Sequence, residues 1–391
     1  MKFIIYFVLF SALSTVGFSQ TFTMNQGGAN VKNYYVELPY ESINGKMILS
    51  VGLKGKTHRF LFDTGAPTAL NKELATQISA DLMHTDIARD VNGHADSVSI
   101  VKLNDINLGN VTFSGIPSMC FLPDLYKCWN VDGVIGSNLL RSSIVSIVSA
   151  KHLIIIADQS DKLPLNKRHS VPLITNEGNN VQSNPVIKIN LKNKVNLALQ
   201  FDTGDNGFLR FTDDFMNQLA KYDVYETIAK GYGASQIGGG GLQANADKYL
   251  LKIPFLNIGS ARFDNVITET NKGGTAGFGT KLLEYGNVTL DFINSKFYFD
   301  GYIETNDLNG KHWPFQPTVT DNKLVVGLVW DKAINLVKPG EQIVAINDEQ
   351  FLQVNLCEMI NRKPVLADKD SVTITIKNQQ GAERKVKIIK E

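Results

Sequence analysis

Apolar and polar residues alternate along most of this chain, at the period of two that a half-buried strand requires. From Val36 to Phe62, "VELPYESINGKMILSVGLKGKTHRFLF" falls into three such runs, with a turn at Asn44-Gly45 and a Lys-rich tight turn, "LKGK". From Val171 to Phe201, "VPLITNEGNNVQSNPVIKINLKNKVNLALQF" repeats the arrangement, with "LKNK" at the matching turn. Each stretch predicts a meander of three strands, the third ending at an Asp.

The likeness continues downstream. A short helix follows each Asp. Asn71 can cap the first, with Leu74 and Ile78 on one face, and Thr212 the second, with Phe215 and Leu219 at one constant offset from them. Next, "VSIVKLNDINLGNVTFSGIPSM" matches "KYLLKIPFLNIGSARFDNVITET". Each reads as a strand, a Gly turn (Gly109, Gly259), an aromatic (Phe113, Phe263) and another strand. Then "DGVIGSNLL" matches "AGFGTKLL", and hairpins close both copies. The pattern gives repeats over 34–157 and 170–302, joined by a polar, Pro-containing linker at 158–169, with a loose polar N-terminus at 20–33.

Beyond about residue 310 the repeat is gone. "KLVVGLVW" reads as a strand, "VNLCEMINR" as a helix, and "SVTITIKN" and "RKVKIIK" as strands, giving a small α+β domain over 310–391. The fold class expected is therefore mainly β: two repeated lobes and a smaller C-terminal domain.

The chain has 391 residues, 43% hydrophobic and 20% charged, with net charge +1, which favours neither nucleic acid nor an anionic membrane as partner. Lys2, the apolar run Phe3 to Leu13 and the small residues of Gly17-Phe18-Ser19 read as a signal peptide over 1–19. After its cleavage no membrane span is expected, and the protein would be exported, periplasmic or secreted. Three Cys are present. Cys120 and Cys128 could close a small ring or remain two buried thiols, and Cys357 is left over in the helix. The six His show neither metal nor triad spacing. The glycines of "GYGASQIGGGGLQ" lack the Lys-Ser/Thr of a phosphate loop and read as a mobile loop.

The chemistry lies in the tetrapeptide ending both meanders: Phe62-Asp63-Thr64-Gly65 and Phe201-Asp202-Thr203-Gly204. Two such motifs inside matching repeats, with Ile135-Gly136 and Phe278-Gly279 later in each, resemble the aspartic peptidases of the pepsin and retropepsin type. The resemblance covers about two thirds of the chain. It implies two β-rich lobes, each giving one Asp to a cleft between them, so that one chain completes the site without dimerising. By that resemblance Asp63 and Asp202 share one proton and activate a water against a peptide bond, with no metal, cofactor or covalent intermediate. Shared protonation of paired carboxyls is the general behaviour of such dyads. Thr64 and Thr203 would bond across to the opposite loop, and Gly65 and Gly204 would permit close backbone approach.

Asn92-Gly93 is a hairpin signal placed where such enzymes carry a flap over the substrate. Ile135, Gly136, Phe278 and Gly279 would border the cleft, with the bulky Phe278 narrowing it. Asp205 stands where a small residue is expected. Facing Asp202 it would raise the pair's pKa values, and facing solvent it would be harmless. The stretch Val337 to Phe351 resembles the PDZ signature, with Gly340 at a turn and Ile343 and Ile346 in the core, which implies a possible site for a peptide C-terminus. Two functions follow: an exported aspartic endopeptidase acting on peptide or protein substrates, or a non-catalytic peptide-binding protein that keeps the cleft and the PDZ-like module.

Overall fold

The computed structural model describes residues 22–89, 95–175, 183–378 and 380–391. The signal-peptide reading over 1–19 and the Asn92-Gly93 tip lie outside the described residues.

The first meander forms as its alternation requires. Strands Tyr35–Ile43, Lys46–Leu53 and Lys56–Asp63 pair antiparallel in sequence. The turns between them place Asn44-Gly45 at φ 45° and 85° and Lys54-Gly55 at 49° and 75°. Positive φ at both central residues matches the turn to the twist of the flanking strands. In the second half, Pro185–Leu191 and Val195–Phe201 pair around Lys192-Asn193, with Ser170–Thr175 alongside.

Each Asp-bearing strand also has a parallel neighbour. Gly133–Gly136 runs beside Lys56–Asp63, with Ile135 opposite Phe62 and Gly136 opposite Asp63. Gly277–Phe278 runs beside Val195–Phe201, with Phe278 opposite Phe201. Each carboxylate is thereby carried at the end of a strand held from both sides. The predicted caps also form: Asn71 Oδ1 accepts from Leu74 N at 2.7 Å, and Thr212 Oγ1 accepts from Phe215 N at 3.1 Å.

A shared antiparallel sheet joins the halves. Its strands run in the order Tyr35–Ile43, Leu153–Ala157, Ile144–Val148, Gly286–Asp291, Lys296–Gly301, Ser170–Thr175. The two copies meet at its centre, Ile144 opposite Asp291 and Ile147 opposite Val288. One apolar cluster spans both halves, including Val36, Leu49, Phe62, Phe113, Ile135, Leu199, Phe201, Phe263 and Phe278. The arrangement is mainly β, and no helix among the described residues is long and apolar enough to cross a membrane.

The C-terminal module has its own core around Phe315, Val326, Ile343, Ile346, Ile374 and Ile376. It is fastened to both halves. Strand Lys323–Trp330 pairs with Glu226–Gly233 of the second half, with Tyr232 opposite Val329. Helix Leu356–Asn361 is bound to the first half by a Cys128–Cys357 disulfide, flanked by Asn361 Nδ2 donating to the Cys128 carbonyl at 2.8 Å. The expected cysteine assignment is corrected here. Cys128 pairs not with Cys120 but with the cysteine left over, because docking of the module brings Cys357 beside the 3₁₀ segment Asp124–Trp129. Cys120 is the free thiol.

The described part of the loose N-terminus is also anchored. Met24 is buried, its carbonyl accepts from Asn138 Nδ2, Arg141 donates to the carbonyls of Gln26 and Gly27, and Gly28–Ala29 pairs with Val111–Ser114. Polar composition did not mark this segment as ordered because its bonds run through main-chain carbonyls, which every residue supplies.

Candidate functional site

The two Asp-Thr-Gly loops meet face to face. Thr64 N donates to Thr203 Oγ1 at 3.0 Å, and Thr203 N donates to Thr64 Oγ1 at 3.1 Å. Each hydroxyl then donates to the carbonyl preceding the opposite Asp, Thr64 Oγ1 to Phe201 O at 2.8 Å and Thr203 Oγ1 to Phe62 O at 3.0 Å. Both threonines are fully buried. Every donor in this knot has a partner, so it locks the loops together without an unsatisfied polar group.

The carboxyls cross over in the same way. A β-carbon on Gly65 would lie 2.3 Å from Asp202 Oδ1, and one on Gly204 would lie 2.4 Å from Asp63 Oδ2. Each Asp is thus stacked on the glycine of the other loop, and only the missing side chain makes room. Each also accepts from its own loop, Asp63 Oδ1 from Gly65 N at 2.9 Å and Asp202 Oδ1 from Gly204 N at 2.8 Å.

Burial is the largest influence on both carboxyls and favours their protonated forms. The pKa of Asp63 is raised by it and partly pulled back by the Lys46 ammonium. Asp202 is pushed up to about 7, by burial first, then by the charges of Asp63 and Asp205, with Arg210 opposing. This is the behaviour of two carboxyls sharing a confined space, where the second ionisation is the costly one.

Asp205 neither faces solvent alone nor stands as an unpaired third charge. Its carboxylate is paired with the Arg210 guanidinium and accepts from Gly207 N at 2.7 Å. Arg210 lies on the strand Leu209–Thr212 and also donates to the Thr275 carbonyl. The pairing offsets much of the field Asp205 would otherwise exert on Asp202.

The dyad opens into a cavity of about 840 Å³. Its apolar wall includes Met24, Ile100, Met119, Leu125, Tyr126 and Trp129. The hairpin arms Asp81–Arg89 and Ala95–Leu103 pair with each other and contribute Asp86, Ile87, Val98 and Ile100, while the expected flap tip at Asn92-Gly93 is not among the described residues. On the second half, Ser235 to Gly240 border the cavity, and Ile237–Gly238 pairs with Gly241–Leu242 in a small hairpin. The cavity is also bordered by Ile360, which comes from the C-terminal module.

Four residues expected to border the cleft do not do so. Ile135 and Phe278 are fully buried within the lobe cores, Phe278 packing edge-on against Phe208 with ring centroids 5.7 Å apart. Gly136 and Gly279 lie under the loops, where a β-carbon would strike Pro67 and Thr68 or Asp205 and Gly207 backbone. Because strand residues alternate between faces, the residue paired with the one before each Asp points inward with it. Phe278 therefore does not narrow the cleft.

The site contains residues that the repeat logic passes over. Lys46, Tyr126, Trp129, Arg210 and Ile360 have no apolar period or motif to mark them. Arg210 was the most accessible, standing five positions from the exceptional Asp205. The aromatics of "PDLYKCW" lie between two turn signals and read as loop.

Residues 49–139 match a protein family described as aspartyl protease. The matched segment contains Asp63-Thr64-Gly65 and Ile135-Gly136 and ends before the second repeat. Among solved structures, the chain is similar to a retropepsin-like aspartic protease from Rickettsia conorii, with 22% identity and a TM-score of 0.25, over 32% of this chain and 94% of that one. It is also similar to Basic 7S globulin from soybean, with 11% identity and a TM-score of 0.38, over 69% of this chain and 95% of that one. Conglutin gamma, a basic 7S globulin from lupine seeds, has 12% identity and a TM-score of 0.39, over 69% and 95%. No curated protein matches the chain.

Proposed function

We propose that this protein is an exported aspartic endopeptidase in which Asp63 and Asp202 activate water against a peptide bond. The observation that carries the reading is the reciprocal stacking of each Asp carboxyl on the glycine of the opposite loop, held by the crossed threonine bonds. Lys46 favours the charged form of Asp63, and the field of Asp63 and Asp205 keeps the proton on Asp202. Asp63 then takes a proton from water as its oxygen attacks the carbonyl carbon. Asp202 gives its proton to the carbonyl oxygen, forming a gem-diol. Return of the Asp63 proton to the amide nitrogen breaks the C–N bond, and a gem-diol hydroxyl returns a proton to Asp202, restoring the pair.

The mostly apolar cleft fits an extended segment with large apolar side chains near the scissile bond. Export is supported by the leader-like N-terminus and by the Cys128–Cys357 disulfide, which suits an oxidising compartment.

The C-terminal module we read as PDZ-like, with Gly340 at φ 87° in its turn. The edge of Lys323–Trp330 is already paired with Glu226–Gly233, which favours a clamping role over capture of a peptide terminus by strand addition at that edge. The alternative, a cleft that binds without cutting, draws on Asp205, and its pairing with Arg210 removes most of that support.

The test is a library of unstructured peptides incubated with the purified chain and read by mass spectrometry. The reading predicts internal cleavage beside apolar residues, abolished by Asp63→Asn and by Asp202→Asn. Peptide binding with no product at any pH would favour the alternative.

A further inference from the structure

Lys46 stands at the first position of strand Lys46–Leu53, directly after the Asn44-Gly45 turn that carries it across to the second half. Asn206 Nδ2 fastens this turn by donating to the Asn44 carbonyl at 2.7 Å, and a β-carbon on Gly45 would lie 3.3 Å from Asn206 and Thr280. The partly buried Lys46 ammonium is held between two contacts. It donates to the Gly204 carbonyl, within the second Asp-Thr-Gly loop, and lies 5.2 Å from the centre of the Trp129 ring. It borders the same cavity as Asp63 and Asp202.

We propose that Lys46 is the fixed counter-charge of the Asp63/Asp202 pair and sets the pH range over which that pair holds a single proton. The proposal rests on the dyad reading above and adds a positioning residue to it.

The argument is one of charge. Burial lowers the pKa of Lys46, and Arg210 from Leu209–Thr212 adds to this, while Asp63 at the end of Lys56–Asp63 and Asp202 and Asp205 in the loop after Val195–Phe201 face the ammonium and oppose it. Tyr126, of the 3₁₀ segment Asp124–Trp129, faces both dyad carboxyls and is held neutral by burial and by their charge. Asp205 and Arg210 add no net formal charge, although Asp205 keeps the larger influence on Asp202. The pair with one proton carries one negative charge, and Lys46 cancels it. The working protonation state is therefore neutral overall, which costs least in a partly enclosed cleft.

The halves are unequal in this respect. Counting back equally from the two Lys-rich turns, the residue matching Lys46 is Asn184, whose side chain accepts from Ser137 Oγ at 3.3 Å. The Lys46 charge is thus supplied from the first repeat only, and it adds to the asymmetry that Asp205 and Arg210 introduce from the second.

A cation stabilises carboxylate forms, so removing it raises both apparent pKa values of the pair. Lys46→Gln keeps a donor for the Gly204 carbonyl and loses the charge, whereas Lys46→Arg keeps the charge. The experiment measures the pH–rate profile of peptide hydrolysis for the full chain and both variants, alongside a carbon-13 titration of the Asp carboxyls that needs no turnover. The proposal expects Lys46→Gln to move both limbs upward by roughly one unit, and Lys46→Arg to restore the wild-type position. Carboxyl titrations that move upward in Lys46→Gln without hydrolysis by any form would support the counter-charge and defeat the peptidase reading. Hydrolysis with unshifted limbs and titrations in a folded Lys46→Gln would overturn the counter-charge and leave the peptidase reading standing. If Lys46→Gln fails to fold, a Lys46→Arg profile displaced from wild type would also overturn the proposal, and a coincident one would support it.

Discussion

Gly65 lies directly against the carboxyl group of Asp202, in a position where a β-carbon would come within 2.3 Å of Asp202 Oδ1. The relation is returned by Gly204 and Asp63. Duplication of the tetrapeptide is thus more than duplication of an acid, since each loop supplies both a carboxyl and the space for the other's. Gly65→Ala or Gly204→Ala should separate the carboxyls. Displacement of about 1 Å is expected to reduce hydrolysis roughly 100-fold. Overpacking should lower stability by about 1–3 kcal/mol. Turnover and urea denaturation check the two effects separately.

The raised pKa of Asp202 links the site to stability. Its folded value of about 7 lies above the ordinary 3.8, so between these pH values the native chain holds a proton that the unfolded chain has released. This contribution is complete below the unfolded value and is lost as pH rises through the folded one. Asp202→Asn has no such loss. It should match the wild type near pH 4 and exceed it by on the order of 4 kcal/mol at pH 8. Urea denaturation across that range measures the difference, and a gain independent of pH would contradict the assignment.

Asp205 and Arg210 act on the pair with opposite sign. Arg210→Gln leaves Asp205 uncompensated beside Asp202, so the alkaline limb of activity should move upward, by about half a unit. Asp205→Asn leaves the Arg210 cation uncompensated and should move that limb downward by a similar amount. Parallel pH–rate profiles decide the matter, and shifts of the same direction in both variants would contradict it.

The repeats were legible because backbone periodicity is local: alternation, the Asn-Gly and Lys-Gly turns, the Asn71 and Thr212 caps and the Asp-Thr-Gly ends are each set by neighbouring residues. What escaped the sequence depends on docking between remote segments. Cys128 and Cys357 are 229 positions apart and meet only because the C-terminal module packs on the first half. Lys46 reads as one more polar residue after a turn until the lobes close on it. The place of Phe278 in the motif points it to the cleft, whereas the strand alternation it shares with Phe201 turns it into the core. Arg210 was within reach of sequence reasoning, since an exceptional acid near a dyad invites a search for a nearby base.

The disulfide gives a direct test of the module's placement. Peptide mapping without reduction should recover Cys128 joined to Cys357, with Cys120 open to alkylation. Cys357→Ser should cost about 2–5 kcal/mol of stability, since the bond closes a long loop. It should also loosen Ile360 at the cavity rim, seen as faster amide exchange over Leu356–Asn361.

The central claim, that Asp63 and Asp202 hold one proton between them, is tested most directly by carbon-13 titration of their carboxyl groups in the folded full-length chain. The account predicts two apparent pKa values for the pair, separated by more than one unit, collapsing in Asp63→Asn to a single titration of Asp202. Two independent titrations, both near the ordinary carboxylate value and unchanged by the partner's substitution, would contradict it.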